Sequence, residues 1–140
     1  MALRKQAEEM IQAAIAECLP DQAVKEALLQ HEFGSGRVRV VAAGKGAWQM
    51  AKAAAEVLGG RADSGVVITK YGHVKGPIAN MECFEAGHPV PDENGFSATR
   101  KAIEAVEGLA EEDTVLLLLS GGGSALFEHP LIPAQELLAL

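Results

Sequence analysis

Hydrophobic and polar positions alternate between two periods along this chain. From Leu3 to Cys18 the apolar residues fall at Leu3, Ala7, Met10, Ile11, Ala14, Ile15 and Cys18, a three-and-four spacing that predicts a helix with one apolar stripe. Pro20-Asp21 is expected to end it, and Asp21 to cap a second helix to about Gln30 with Val24 and Leu28 inward. Both helices read as packing elements. Arg37 to Ala43 then reads as a strand, because Val38, Val40 and Val41 are β-branched and glycines bound the run. Helical spacing returns from Ala47 through Leu58 until Gly59-Gly60 stops it.

Gly65 to Thr69 and the weaker Met81 to Ala86 read as two further strands. A helix from Asn94 presents Ala98, Ala102, Ile103, Val106 and Leu109 on one face. Thr114 to Leu119 is the most apolar short run, which predicts a strand buried on both faces. Pro133 suits the first turn of a last helix, Ala134 to Leu140.

Strands alternating with helices of this length imply right-handed crossovers, hence an α/β, Rossmann-like three-layer domain over residues 1–140 with a mainly parallel sheet and helices on both faces. Strands of one direction send their following loops to one rim, where ligands of open α/β folds bind. Those loops are Gly44 to Gly46, Lys70 to Gly76, Gly87 to Asp92 and Ser120 to Ser124, and they gather three lysines, two histidines, a tyrosine, two serines and an aspartate.

Composition narrows the partners. A chain of 140 residues, 49% apolar and only 4% aromatic, is one domain's worth of α/β material. Its formal net charge of −7 argues against a nucleic-acid surface, so an anionic ligand must be held by local donors. Cys18 and Cys83 share no metal or disulfide spacing and are expected to be buried thiols in a reducing compartment. His31 and His129 share no ligand spacing either, so no protein metal site is argued. The first residues lack an apolar signal segment and no run reaches membrane-spanning length, so a cytoplasmic protein is expected.

The chemistry concentrates in the loops. Gly121, Gly122 and Gly123 lack Cβ atoms, so their N–H groups can approach an anion, with the Ser120 and Ser124 hydroxyls on either side. A flexible turn is the plainer alternative. Gly44-Lys45-Gly46 satisfies neither common nucleotide motif. A phosphate-binding P-loop needs glycine where Arg39 stands and Ser or Thr where Gly46 stands. A dinucleotide fingerprint needs a small residue at Gln49 and an acid where Thr69-Lys70 stand, so NAD is disfavoured. Lys45 remains an ammonium between flexible residues beside a helix N-terminus, a ligand for phosphate or carboxylate. Lys70, Tyr71 and His73 gain weight only from their loop, and the alternative for each is a solvated side chain. His88 and Asp92 lie in a loop stiffened by Pro89 and Pro91. Asp92 serves a substrate hydroxyl, Mg²⁺ or the start of a helix, the last slightly favoured.

Together, Val-Val-Ala-Ala-Gly-Lys-Gly-Ala (40–47), Thr-Lys-Tyr-Gly-His (69–73), Glu-Ala-Gly-His-Pro-Val-Pro-Asp (85–92) and Leu-Ser-Gly-Gly-Gly-Ser-Ala-Leu (119–126) resemble the N-terminal part of the glycerate 2-kinases that carry a MOFRL domain. The resemblance implies ATP-dependent phosphorylation of D-glycerate at its 2-hydroxyl, with Mg²⁺, in a cleft between two domains. It also implies that Lys45 is catalytic, that the triple-glycine loop falls on Ser120 to Ser124, and that a catalytic arginine lies in the remaining sequence. From their place in the loops, Gly44, Gly46, Lys70, His88, Asp92 and Ser120 to Ser124 are expected to bind substrate or phosphate. Family members are much longer, so the chain reads as an N-terminal fragment, inactive alone, whose partners are D-glycerate and its own missing C-terminal part, with room for a homodimer. The alternatives are a hydroxypyruvate reductase, a label some relatives carry, and a non-catalytic anion or sugar-phosphate binding module.

Overall fold

A computed structural model describes residues 2–137, and the final three positions of the expected last helix lie outside them. In chain order the elements are α1 (Ala2–Glu17), α2 (Pro20–Gln30), β1 (Val38–Ala43), α3 (Ala47–Leu58), β2 (Ala62–Lys70), β3 (Met81–Ala86), α4 (Glu93–Ala105), β4 (Thr114–Leu119), α5 (Gly123–Leu126) and α6 (Ala134–Leu137). The four strands form one parallel sheet in the order β3-β2-β1-β4. The fold is therefore the expected three-layer α/β arrangement.

Alternation along the strands sorts the core into two halves. Val38, Val40, Ala42 and Val67 face α2 and α3, where they meet Val24, Leu28, Ala51 and Ala54. Val41, Val66 and Ile68 face the other way, onto Ala98 and Ala102 of α4 and Leu126 of α5. Alanines dominate the helix faces because crossover helices must sit close on the sheet. The β2–β3 connection carries no helix. Ile78 is buried among the α3-side core residues, and the Trp48 indole N–H donates to the Gly76 carbonyl at 2.9 Å, tying that connection to α3.

Three expectations about the periphery are corrected. β4 is an edge strand and is not buried on both faces: Val115, Leu117 and Leu119 are 45%, 50% and 56% exposed. Its run of apolar side chains shows that both faces suit burial, but α4 lies over the inner strands and leaves the outer one uncovered. α1 buries none of its residues, and Leu3 and Met10 of its apolar stripe are 82% and 73% exposed. Pro20 opens α2 as its first residue after an Leu19 N-cap, so Asp21 falls in the first turn and caps nothing. The thiols differ from expectation too. Cys18 is exposed and Cys83 half-buried, with burial pushing its pKa up.

The starts of β1 and β4 are joined by Asp113. Its carboxylate accepts from the Arg37 main-chain N–H and the Arg37 guanidinium, both at 2.7 Å, and from the Ala110 N–H at 2.9 Å. The Arg37 side chain, then these main-chain donors, hold its pKa well below the usual carboxylate value. A depressed folded-state pKa stabilises the fold above the unfolded value and loses that contribution as pH falls through the folded one. Asp113→Asn is accordingly expected to lower the melting temperature at pH 7, with the gap between wild type and variant closing below about pH 4, measured by thermal unfolding across pH.

Candidate functional site

In a parallel sheet the ligand crevice opens where neighbouring strands send their connections in opposite directions. Here β1 leads through α3 to β2 on one side, whereas its other neighbour, β4, is reached through α4 on the opposite face. The register aligns Ala43 with Ile68 and with Leu119, so the loops after β1 and β4 emerge side by side. Those loops are the two glycine-rich turns.

They are hydrogen-bonded to each other. The Lys45 N–H donates to the Gly121 carbonyl at 2.9 Å, the Gly46 N–H to the Ser120 hydroxyl at 2.9 Å, and the Ser120 N–H to the Ala43 carbonyl at 3.0 Å. Gly44, at φ 120°, packs so closely that a Cβ there would run into the Ser120 hydroxyl and main chain. The Lys45 side chain lies along the glycines: a Cβ on residue 121 would stand 3.6 Å from Lys45 Cε, and one on residue 122 would stand 3.3 Å from Cγ. Gly123 donates its N–H to the Ser120 carbonyl at 3.2 Å, closing the turn. Among the described residues the Gly121 and Gly122 N–H groups have no main-chain acceptor, leaving two donors beside an exposed ammonium group.

The other two loops reach the same place. A Cβ on Gly122, which sits at φ 85°, would be 2.6 Å from His88 Nε2, so the imidazole lies directly against the triple-glycine turn. His73 approaches from below, its Nδ1 3.2 Å from the Lys45 carbonyl, and as that oxygen only accepts, Nδ1 carries the proton. Lys45, Trp48, Gln49, Gly72, His73 and Lys75 line a cleft of about 230 Å³ at the N-terminus of α3. A larger hollow of about 590 Å³, around Ser64, Met81 and Lys101, opens at the opposite end of the strands and holds none of these loops.

Asp92 is placed differently from Lys45 and His88. It is the N-cap of α4, with Oδ1 accepting the Gly95 N–H at 3.0 Å and Oδ2 accepting the Tyr71 hydroxyl at 2.6 Å. Partial burial pushes its pKa up, but the Tyr71 hydroxyl and the Gly95, Gly87 and Asn94 N–H groups outweigh that and hold it below the ordinary value. Tyr71, donating to that carboxylate, is pushed up. Glu85 is spent similarly: its Oε1 accepts the Val74 N–H at 2.8 Å, which with the Gly72 N–H draws its pKa down. Both rim carboxylates are thus committed to main-chain donors, and no cluster of three His, Cys, Asp or Glu is found among the described residues. This donor set does not fit a magnesium site. Lys70 closes β2 and Ser124 stands exposed in α5, and no side-chain hydrogen bond among the described residues joins either to Lys45.

Thr69 was not legible as a site residue. It is fully buried, and its hydroxyl donates to the Lys45 carbonyl at 3.3 Å. Its signal is a polar side chain directly after the apolar run Val66 to Ile68 of β2, on the face turned toward α3. Trp48 and Asn94 were missed as well. The Asn94 amide donates to the Tyr71 hydroxyl at 2.8 Å, so Tyr71 is held from both sides.

Known proteins share this fold. The chain is 56% identical over 130 residues to a D-glycerate 2-kinase of Thermotoga maritima, covering 93% of this chain and 31% of that protein. It is 40% identical to a putative hydroxypyruvate reductase of Agrobacterium vitis, covering 93% of this chain and 29% of that one. A crystal structure of a glycerate kinase from Thermotoga maritima superposes with a TM-score of 0.87 at 53% identity, over 99% of this chain and 33% of that one. The chain therefore spans about a third of the length of these relatives. A family model described as a domain of unknown function, DUF4147, matches residues 6–140, and the chain belongs to that family.

Proposed function

We propose that this chain is the amino-terminal part of a longer D-glycerate 2-kinase that transfers the γ-phosphoryl group of ATP to the 2-hydroxyl of D-glycerate. One observation carries the reading. Lys45 is seated by its own main chain against two N–H groups that have no main-chain acceptor among the described residues, where the connections on either side of β1 diverge. The names of the relatives support the acceptor, since a likeness of 56% extends across all four loops.

In the transfer, the glycerate 2-hydroxyl oxygen forms the new bond to phosphorus as the bond to the ADP oxygen breaks and the hydroxyl gives up its proton to solvent, and negative charge gathers on the phosphoryl oxygens. Lys45 neutralises that charge, and the Gly121 and Gly122 amides receive either the phosphate or the substrate carboxylate. His88 borders the same pocket. Gly44, Gly46 and Ser120 hold the two turns together, and Lys70 and Ser124 complete the rim as contacts made only when substrate binds. Asp92 keeps its place at the helix cap. Mg²⁺ enters this reading only as the nucleotide's counter-ion, since the rim does not fit it, and no step is assigned to it. The second side of the cleft, and the cover for the exposed face of β4, come from the remaining two thirds of a protein as long as its relatives. A cytoplasmic location belongs to the same reading.

A coupled assay with ATP and D-glycerate is expected to show turnover in the full-length protein and none in residues 1–140 alone. Turnover by the segment, or none by the full-length protein, would overturn one half of the proposal or the other. The name of the Agrobacterium relative keeps a hydroxypyruvate reductase as second reading. Oxidation of NAD(P)H by hydroxypyruvate would favour it, against the missing acid at Thr69-Lys70.

A further inference from the structure

Lys45 is gripped through the main-chain groups on both sides of its Cα. Its N–H donates to Gly121, and its carbonyl accepts from the Thr69 hydroxyl at 3.3 Å and from His73 Nδ1 at 3.2 Å. A carbonyl with two side-chain donors is unusual at the start of a helix, where main-chain N–H groups are the ones in need of partners. Nothing in the helix calls for it. Thr69 has 0% exposure, and the two buried positions that precede it in β2, Val67 and Ile68, are apolar. An isosteric valine would fit the same space and suit a strand better. The hydroxyl therefore costs desolvation that only its acceptor offsets.

We infer that Thr69, assisted by His73, is a positioning residue that fixes the Lys45 peptide so that the ammonium group projects along Gly121 and Gly122. The inference rests on the kinase reading for its activity arm only. Neither side chain has to touch substrate. Thr69 is closed to solvent, and it acts through the direction in which Lys45 leaves the main chain. Loss of the grip lets the turn after β1 rotate, and a displacement of about 1 Å in a positioned cation is enough to cost on the order of 100-fold in rate.

The structure supplies its own control. Thr99 of α4 is also buried, at 3% exposure, and its hydroxyl has no partner. It lies on the other side of the sheet, with Ala98 and Ala102 beside it. In the full-length protein, Thr69→Val is expected to lower kcat by about 10- to 100-fold with KM for D-glycerate and ATP held within about twofold. Thr69→Ser, which restores the hydroxyl, should recover most of that loss, and Thr99→Val should leave kcat unchanged. Hydrogen exchange at the Lys45 amide should quicken in Thr69→Val and stay at the wild-type rate in Thr99→Val.

Equal effects of Thr69→Val and Thr99→Val would reduce Thr69 to a packing residue and sink the inference, as would wild-type kcat and Lys45 exchange in Thr69→Val. If Thr69→Val does not fold, His73→Phe removes the second donor and keeps the ring's bulk, and unchanged kcat and Lys45 exchange in that variant would overturn the inference equally. A full-length wild type without glycerate phosphorylation would refute the kinase reading alone. The amide exchange of Lys45 in the same variants still decides whether Thr69 holds it.

Discussion

Lys45→Ala in the full-length protein is expected to lower kcat for D-glycerate phosphorylation by about 10³-fold while KM for either substrate moves only a few-fold. The asymmetry follows from where charge appears. On the proposed reading, the γ-phosphate and the glycerate carboxylate would be shared in the ground state among several donors, including the Gly121 and Gly122 amides, so one ammonium group would be a modest part of binding. In that reading the charge of the phosphoryl group passing between oxygens concentrates beside Lys45, whose side chain runs over the glycines. The interaction removed is thus one that strengthens in the transition state, and kcat and kcat/KM fall together. Lys45→Arg is expected to recover little, because a planar guanidinium needs width that the close approach of Gly121 and Gly122 does not leave. Steady-state kinetics with isothermal titration of ATP checks the split. A loss confined to affinity would favour a binding module over a catalyst.

Gly44→Ala is expected to be the most damaging small substitution in the rim, lowering stability by about 3 kcal/mol, roughly 10 °C in melting temperature for a domain this size. Two independent costs add. At φ 120° an alanine is strained whatever surrounds it, and its Cβ would fall on the Ser120 hydroxyl and within 2.5 Å of the Ser120 carbonyl oxygen. The obstruction is main chain at the exit of β4, which cannot swing aside as a side-chain tip does. Relief requires the two turns to part, breaking the Lys45 to Gly121 and Gly46 to Ser120 hydrogen bonds that define the site. Activity should therefore fall along with stability. Gly60→Ala serves as the comparison, with open space around it and no unusual φ, and should leave the melting temperature within about 2 °C. Thermal unfolding followed by circular dichroism distinguishes the two, and equal shifts would mean that the β1 and β4 turns are not packed as described.

What the order of residues settled is local and periodic. Spacing alone placed α3 and β3 at their observed ends, named Val24 and Leu28 as the inward positions of α2, and predicted parallel strands whose loops share a rim, because helix and strand periods are written directly into which positions are apolar. The four loop strings were legible as segments that follow strands, but from the residues alone each glycine run could equally be a flexible turn.

Spatial neighbourhood was not written there. Val115, Leu117 and Leu119 look the same whether a further strand and helix cover them or water does, since an apolar side chain states what it suits and not what it meets. α1 carries an apolar stripe as well, yet none of its described residues is buried. That Asp92 caps α4 through Gly95 and holds Tyr71 with its other oxygen is visible only in the tertiary structure. The pairing of the Lys45 and Gly121 turns, 76 residues apart, and the buried hydroxyl of Thr69 beneath them came only from the tertiary structure. Such contacts depend on strand order and register, and those are set by the packing of the whole sheet rather than by any one segment of it.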